Sequence, residues 1–434
     1  MSKYTILCLA TALAGMSPVA GFAQSETVVY SFSATNPLGI FPTGPLLADS
    51  AGNLYGTTKA TGTGFRGIPT GFGTVFELSP PAGTGSTWTA TLLYTFGAKP
   101  SHGGIFAGYS ALVADAEGNL YGTTTASNGT RTEGVVFELI KPKPKKDLWR
   151  LATLFSFPVK KKTGTAIDGA SPYSGVVFGP DGNLYGTTTI GGAYNAGTVF
   201  QLSPSGTTWT ETTLYNFTGN TDGGSPYATV AFDSAGNLYG TAQQGGTAAT
   251  PGGVVFELSP PASPGGSWTQ QTLYSFGNLG DGSGPYTGVL FDPLGNLYGT
   301  TYNGGASGLG TVYELSPPAI AGGAWTETVL HSFGGAPDGS YPGLSNLVFD
   351  SSGNLYGSTV SGGTAGTFSG GAVFELSPPA TAGGAWTDTT LNIFTGANGY
   401  KPEGGVIVTS SGSLFGTTYE GGSANQGALY QITP

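Results

Sequence analysis

Cysteine, histidine and charged side chains are scarce in this chain of 434 residues. It contains one Cys and two His, and only 9% of its residues are Asp, Glu, Lys or Arg. One Cys cannot form an internal disulfide, and so few Cys and His cannot build a structural zinc site of the usual type with four Cys or His ligands. No apolar run of about 18 residues follows the N-terminal segment, so the sequence predicts no membrane-spanning helix. Helix-favouring residues are too scarce for a helix bundle, and 12% aromatic residues exclude a disordered polar chain.

The N-terminal residues 1–23 have the pattern of a secretory signal peptide. Lys3 supplies the positive end, residues 4–16 form a short apolar stretch, and Gly21-Phe22-Ala23 is a small-x-small cleavage site. Cys8 lies inside this segment. We therefore expect a protein secreted to the periplasm or beyond the cell, whose mature part, 24–434, is one domain without a thiol.

The charge of the chain is acidic overall and unevenly distributed. The formal net charge is −10, and eight of the 14 basic residues lie within 141–162. No basic face extends over the molecule, so nucleic acid is not an expected partner. The basic cluster is interpreted as solvated edge charge, with attachment to an anionic surface as the alternative; it consists of Lys141, Lys143, Lys145, Lys146, Arg150, Lys160, Lys161 and Lys162.

A repeat organises the chain, which has 77 Gly and 29 Pro. Gly-Asn-Leu-Tyr-Gly-Thr-Thr or a near copy begins at residues 52, 118, 182, 236, 295, 353 and 412. Each of the seven units carries four strand signals separated by turn residues, and none shows a helical period. Seven four-stranded units of this kind predict an all-β, seven-bladed β-propeller.

The two ends of the chain predict how the ring closes. The last unit stops after its third strand, whereas Thr27-Val-Val-Tyr-Ser-Phe32 matches the fourth-strand pattern and precedes the first unit. The N-terminal strand should therefore complete the last blade, three strands plus one. Six Trp lie eight residues before the fourth-strand Phe of the other blades, and this even offset predicts that Trp and Phe share one face of the strand.

The repeat, with its later Gly-Gly, Gly-Thr-Val-Phe-Glu-Leu and Leu-Tyr-Ser-Phe segments, resembles a bacterial tandem-repeat family called GloVer-containing proteins. The resemblance covers essentially all of the mature chain. It implies a secreted or surface-anchored protein and no particular catalytic residues. Members often end in an anchor segment, and because this chain ends in a strand signal at Pro434, we expect free secretion.

One face of the propeller should carry the Gly-x-x-Pro and Gly-Gly connections, and loops on a rigid scaffold commonly hold sites. An aromatic residue lies beside six of the loop prolines and could stack on a carbohydrate at the channel mouth; the alternative is that each packs over its own turn. These residues are Phe41, Tyr173, Tyr227, Tyr286, Tyr341 and Tyr400.

Four Asp-Gly pairs occur in the same connections. The aspartates could bind a ligand or a cation, but the calcium-loop spacing is absent, so we expect them to hydrogen-bond local amides. No metal and no cofactor is predicted. The residues are Asp168, Asp222, Asp281 and Asp338.

Acidic residues outside the repeated positions are the candidates for catalysis. Glu403, Glu420 and Glu133 should lie on the loop face, where two carboxylates could cleave a glycosidic bond. The alternative is that they are solvated loop acids. His331 replaces a fourth-strand Tyr, His102 lies alone in a loop, and no nucleophile motif or phosphate loop occurs.

The sequence therefore favours a secreted, non-catalytic binding module, monomeric, with a carbohydrate or an extracellular or cell-surface protein as partner. Two alternatives stay open. The first is a polysaccharide-active hydrolase or lyase, and the second is a structural or cell-surface interaction protein.

Overall fold

The computed structural model describes residues 25–35, 38–63, 69–70, 72–83, 87–97, 109–125, 132–143, 148–158, 168–263, 265–278, 280–320, 322–343, 346–363, 370–381 and 383–433. These residues form strands and turns and no helix, which confirms the all-β prediction. None of them belongs to a helix long and apolar enough to span a bilayer. The predicted signal segment, His102 and Lys145, Lys146 and Lys160 to Lys162 lie outside the described residues.

Seven antiparallel sheets of four main strands follow one another as blades 1 to 7. The short first strands are Leu47–Ala48, Val113–Ala114, Val177–Phe178, Ala231–Phe232, Leu290–Phe291, Val348–Phe349 and Val406–Val408. The second strands are Leu54–Ala60, Leu120–Thr124, Leu184–Thr188, Leu238–Ala242, Leu297–Thr301, Leu355–Ser361 and Leu414–Thr418.

The third and fourth strands are longer. The third strands are Thr74–Ser79, Thr132–Ile140, Thr198–Ser205, Val254–Ser259, Thr311–Ser316, Ala372–Ser377 and Ala428–Thr433. The fourth strands are Thr89–Thr95, Arg150–Pro158, Thr208–Asn216, Thr269–Ser275, Thr326–Ser332, Thr387–Ile393 and, in blade 7, Ser25–Ser31. Short additional strands are Ile40–Pro42, Gly62–Thr63, Pro69–Thr70, Gly282–Ser283, Asn303–Gly304 and Ser340–Pro342.

The ring closes as the two chain ends predict. Ser25–Ser31 pairs antiparallel with Ala428–Thr433, from Ser25 opposite Thr433 to Ser31 opposite Ala428. The Phe32 amide donates to the Gly427 carbonyl at 2.9 Å, the same bond that Phe217 makes with Gly197 inside blade 3. The N-terminal strand thus covers an edge of blade 7 that would otherwise be open to pairing.

The central Gly of each Gly-Asn-Leu-Tyr-Gly repeat makes room for a cross-strand aromatic ring. Gly56 lies opposite Phe76 in the ladder, and a Cβ on Gly56 would be 2.5 Å from the Phe76 ring. The same close approach joins Gly186 to Phe200. Glycine is required there because the Phe ring lies flat over the second strand.

The other repeated polar residues tie the first hairpin to the third strand. In blade 1, Asp49 accepts bonds from the Asn53 amide and side chain and from the Tyr55 hydroxyl, which also lies 3.5 Å from Glu77. Blade 5 repeats the arrangement. These acids on the hairpin-turn face are structural, since their oxygens serve the turn and the buried Tyr.

Seven apolar clusters fill the seven junctions between blades. The prediction that Trp and Phe share a face of the fourth strand is wrong. Phe157 packs toward blade 3, whereas Trp149, which directly precedes the same strand, packs toward blade 1. A β-bulge in the pairing of the third and fourth strands adds one residue between them, and one extra residue reverses the face of a side chain.

At six junctions a loop proline packs against a glycine of the preceding blade. A Cβ on Gly310, which directly precedes the third strand of blade 5, would be 2.4 Å from the Pro342 ring of the next loop, and Gly310 has a φ of +101°. Beside it, the Tyr341 amide donates to the Leu309 carbonyl at 2.7 Å. Equivalent Gly–Pro contacts join the neighbouring blades at Gly134–Pro172, Gly197–Pro226, Gly253–Pro285, Gly371–Pro402 and Gly427–Pro42.

Carboxyl groups influence each other at the junction of blades 2 and 3 and at the junction of blades 4 and 5. Burial, and to a lesser degree the charge of Asp168, raises the pKa of Glu211 to about 7. Burial and the charge of Asp281 raise the pKa of Glu327 to about 7. Blade 4 has Gln270 in the position of Glu211 and Glu327.

Replacing Phe32 or Phe217 by Ala tests the strength of closure. Both rings are fully buried and both pack on a Phe of the third strand of a neighbouring blade. We expect each substitution to lower the free energy of unfolding by about 3–5 kcal/mol, measured by urea denaturation. A much smaller loss for Phe32→Ala than for Phe217→Ala would contradict a firmly docked N-terminal strand.

The raised pKa values of Glu211 and Glu327 predict that stability falls with rising pH. Each carboxyl binds its proton more tightly in the folded chain, so its contribution is present below the ordinary pKa of 4.5 and is lost as pH rises to about 7. Glu211→Gln and Glu327→Gln should match the parent at pH 5 and exceed it by about 1 kcal/mol each at pH 8, after allowing for solvent screening. Parallel pH profiles for parent and variants would contradict this.

Candidate functional site

A cavity on the propeller axis is lined by residues of all seven blades, among them Thr43, Tyr109, Tyr173, Tyr227, Tyr286, Asn346 and Gly404. A more open space shares Tyr173, Tyr227 and Tyr286 with this cavity and is completed by Tyr302, Val360 and Glu403. We call this second space the channel mouth. It is the place on the loop face where side chains of different blades converge.

Two sequence positions in each blade supply most of these side chains. The first directly follows the loop proline and holds Thr43, Tyr173, Tyr227, Tyr286, Gly343 and Glu403, with Tyr109 as its counterpart in blade 2. The second directly follows Gly-Thr-Thr or its variant and holds Lys59, Thr125, Thr189, Gln243, Tyr302, Val360 and Tyr419. The contact between the loop proline and the glycine of the preceding blade fixes the first position. The end of the second strand fixes the second position.

Six tyrosine rings form a continuous series of contacts across blades 2 to 6. Tyr109 stacks on Tyr173 with 4.5 Å between centroids, and Tyr302 stacks on Tyr341 at 4.9 Å. Tyr173, Tyr227 and Tyr286 meet edge to face, and Tyr286 meets Tyr302 in the same way. Such contacts hold each ring in place. The mouth is therefore walled by ordered aromatic surface.

The residue before each loop proline has a left-handed backbone. Ser171, Ser225 and Gly284 occupy this position in blades 3 to 5, whereas Phe41, Tyr341 and Lys401 occupy it with φ values of 61°, 57° and 56°. Left-handed conformations disfavour bulky side chains, and such strain clusters at functional sites. Each of the three large side chains reaches an aromatic partner: Phe41 packs on Tyr419, Tyr341 on Tyr302, and the Lys401 ammonium lies over Tyr400 and Tyr419.

Glu403 occupies the position that holds Tyr in blades 3, 4 and 5. Its Oε2 atom is buried, and no residue that the structure describes donates a hydrogen bond to it. Burial raises the pKa of Glu403, Lys59 and Lys401 oppose that rise, and Glu420 adds to it. A buried carboxylate oxygen without a donor is costly in a folded protein and indicates a place for a ligand donor.

Lysines define the blade 1 and blade 7 side of the mouth. The Lys59 ammonium lies 5.5 Å from the Tyr109 ring and 5.4 Å from the Tyr419 ring, so it bridges the two aromatic groups. Lys401 forms an ion pair with Glu420 at 3.5 Å. The opposite side carries Tyr173, Tyr227, Tyr286, Tyr302 and Val360, and Glu403 lies with the lysines on the blade 7 side. The mouth thus combines an uncharged aromatic wall with a charged edge.

The structure brings together most of the predicted aromatic residues. Tyr173, Tyr227, Tyr286 and Tyr341 belong to the contact series. Phe41 lies outside it and packs on Tyr419. Tyr400 lies apart from the series: its backbone pairs with Glu420, and Lys401 covers its ring.

The predicted acids lie in different places. Glu403 and Glu420 are close enough to influence each other's charge, whereas Glu133 lies in the third strand of blade 2, where its carbonyl accepts the Ser171 amide. Asp222 accepts bonds from the Tyr215 hydroxyl and the Thr218 amide, and Asp281 and Asp338 serve the equivalent turns. Asp168 lies near Glu211.

Sequence reasoning missed four residues of this region: Tyr302, which lines the mouth, and Lys59, Tyr109 and Tyr419, which form the ring and ammonium contacts beside it. Three of them directly follow Gly-Thr-Thr, so the signal was available in the repeat as a position that varies between blades. Tyr109 lacks a neighbouring proline and was missed for that reason.

The arrangement is suited to binding a polar molecule with flat apolar faces. Stacked rings offer apolar surface, Glu403 offers an acceptor, and the Gln243 amide donates to the Tyr286 hydroxyl and orients it. A few polar groups that converge within an aromatic pocket are typical of small-molecule sites.

Solved structures similar to this chain match most of its length but are distant in sequence. A fungal alcohol oxidase of the AA5 family, in complex with copper, is 15% identical, with 92% of this chain and 75% of that chain covered and a TM-score of 0.50. PorZ, a surface component of the type-IX secretion system of Porphyromonas gingivalis, is 13% identical over 93% of this chain and 47% of its own, with a TM-score of 0.48. This chain therefore spans about half the length of PorZ.

A putative 6-phosphogluconolactonase from Bacteroides uniformis is 17% identical, with 84% of this chain and 88% of that chain covered and a TM-score of 0.47. At these identities the similarity concerns the fold alone. No curated protein matches the sequence.

The repeat itself identifies the family. The Gloeobacter/Verrucomicrobia repeat matches residues 148–321 and again, overlapping, residues 262–434. These matches confirm the resemblance stated from the Gly-Asn-Leu-Tyr-Gly-Thr-Thr units, and together they cover more than half of the sequence. The chain belongs to the Gloeobacter/Verrucomicrobia repeat family.

Proposed function

We propose that this protein is a secreted, non-catalytic binding module that recognises a carbohydrate at the channel mouth. The observation that carries the proposal is the buried Oε2 of Glu403, which has no donor among the described residues and lies within a wall of tyrosines. A sugar hydroxyl would supply the missing hydrogen bond, and a charge-assisted bond of this kind is stronger than a neutral one.

The tyrosine series supports the same ligand class. Sugar rings have flat C–H faces that stack on aromatic surface while their hydroxyls bond to polar groups at the edge. Tyr173, Tyr227 and Tyr286 are supplied by three consecutive blades, so their spacing is set by the blade repeat. A ligand with repeated units suits a wall whose rings recur from blade to blade.

Export and partner remain part of the proposal. The signal pattern of residues 1–23 supports secretion, where extracellular glycans are accessible. A cell-surface or extracellular protein that presents glycans fits the same mouth, and the chain is expected to bind as a monomer.

A glycan array followed by titration of the bound glycan tests the proposal. We expect Tyr227→Ala and Glu403→Gln to weaken binding by about 10- to 100-fold, since each removes one ring contact or one charged acceptor. Tyr194→Ala is the matched control, because Tyr194 is an exposed tyrosine of a blade 3 loop outside the ring series. Binding of no glycan, or equal binding by the mouth variants, would contradict the proposal; capture of a protein without glycan would favour an interaction protein.

A second candidate function is glycoside cleavage by Glu403 and Glu420. The supporting observation is that burial raises the pKa of Glu403, as a general acid requires, while the nearby Glu420 is ion-paired with Lys401. Two carboxyl groups with such different surroundings are the usual requirement for hydrolysis of a glycosidic bond.

Release of reducing ends from a polysaccharide panel distinguishes the two functions. If the chain is a hydrolase, Glu403→Gln and Glu420→Gln should each lower the rate by about 100-fold or more, while Glu133→Gln should not change it. Saturable binding without any release by the parent protein would exclude the catalytic candidate on the glycans tested.

A further inference from the structure

A second group of side chains lies at the junction of blades 5 and 6, outside the channel mouth. His331 belongs to the fourth strand of blade 5, Asp338 to the loop that follows it, and Asp388 to the fourth strand of blade 6. One ligand atom of each residue lies within 4.8 Å of the others, and the His331 Nε2 is 3.1 Å from an Asp338 oxygen. We propose that His331, Asp338 and Asp388 bind one divalent transition-metal ion, with Zn²⁺ as the best fit.

The geometry and the donor types suit such an ion. Imidazole nitrogen and carboxylate oxygens bind Zn²⁺ at about 2.0–2.2 Å, which places tetrahedral ligands about 3.4 Å apart. The three groups need only a small inward adjustment, and all are half-buried, so a water molecule can reach a fourth position. The charge is favourable because two carboxylates face the site and no Lys or Arg among the described residues forms an ion pair with either.

An orphaned oxygen gives an independent indication of a missing ligand. Asp388 Oδ1 is buried without a hydrogen-bond donor in the described part of the chain. Asp338, by contrast, accepts the Gly334 amide, and its Oδ2 also lies 3.1 Å from His331 Nε2. Leaving a buried carboxylate oxygen unpaired is costly, and a cation between the two aspartates would remove that cost.

Comparison with the neighbouring junction shows what is particular to this one. Between blades 4 and 5 the equivalent residues are Tyr274, Asp281 and Glu327, and the Tyr274 hydroxyl donates to Asp281 at 3.0 Å. At the junction of blades 5 and 6 the Tyr is replaced by His and the Glu by the shorter Asp. Both departures from the repeat fall in one place, and together they exchange a hydrogen-bond donor for a metal-binding nitrogen.

The ion would join two blades, since His331 and Asp338 come from blade 5 and its loop and Asp388 from blade 6. Its role is structural: it binds the folded ring and has no such site in the unfolded chain, so it stabilises the fold by mass action.

Isothermal titration of the purified full chain with ZnCl2 tests the proposal. All proteins carry Cys8→Ser, so that the chain's one thiol cannot hold the metal. We expect one Zn²⁺ per chain and a rise in the unfolding temperature with added Zn²⁺. His331→Tyr, which restores the repeat residue, and Asp388→Asn should each lose at least about tenfold in affinity, because even lost outer-shell partners cost 10- to 100-fold.

His102→Ala is the matched control for the other histidine and should bind Zn²⁺ like the parent. Circular dichroism and the unfolding temperature without metal establish that each variant is folded. The proposal is overturned if the folded parent binds no Zn²⁺, or if His331→Tyr and Asp388→Asn, both folded, bind it as the parent does. Loss of binding in His102→Ala alone would also overturn it.

Discussion

The contact on which the structure depends is that between a loop proline and a glycine near the start of the third strand of the preceding blade. It recurs at Gly134–Pro172, Gly197–Pro226, Gly253–Pro285, Gly310–Pro342, Gly371–Pro402 and Gly427–Pro42. The proline ring takes the space where a Cβ would lie, so any other residue in place of the glycine would push the blades apart. Because this contact fixes the position of the proline, it also determines the direction of the side chain of the residue that follows the proline.

Repeated and irregular residues have different tasks. The repeated Asp, Asn and Tyr stabilise the hairpin turns of blades 1 to 6, joined by a third-strand Glu or, in blade 3, by Gln201. The repeated Gly and aromatic residues fill the sheet interior. Residues that differ between blades lie at the two positions that line the mouth and at the junction of blades 5 and 6. A scaffold that uses the positions repeated between its blades for packing leaves the other positions free to bind ligands or to take part in catalysis.

The number of blades and the closure by the N-terminal strand were predictable because each depends on counting repeated segments. The faces of Trp and Phe in the fourth strands were not, because the β-bulge that reverses them leaves no mark in residue spacing. Four of the six predicted loop aromatics lie in the ring series, since their place beside a proline indicated a common position. Tyr302, Tyr419 and Lys59 were missed because the ends of the second strands look alike in sequence. The lack of a described hydrogen-bond donor to Glu403 Oε2 could not be predicted either, because it depends on side chains of several blades.

The distribution of mouth residues over the ring has a consequence for assembly. Lys59 belongs to blade 1 and Glu403 to blade 7, the two blades between which the N-terminal strand closes the ring. A ligand bound by both residues would bridge the interface of blades 1 and 7 and would be released if that interface opened. Ligand binding and closure of the ring are therefore thermodynamically coupled, so a bound ligand stabilises the closed ring.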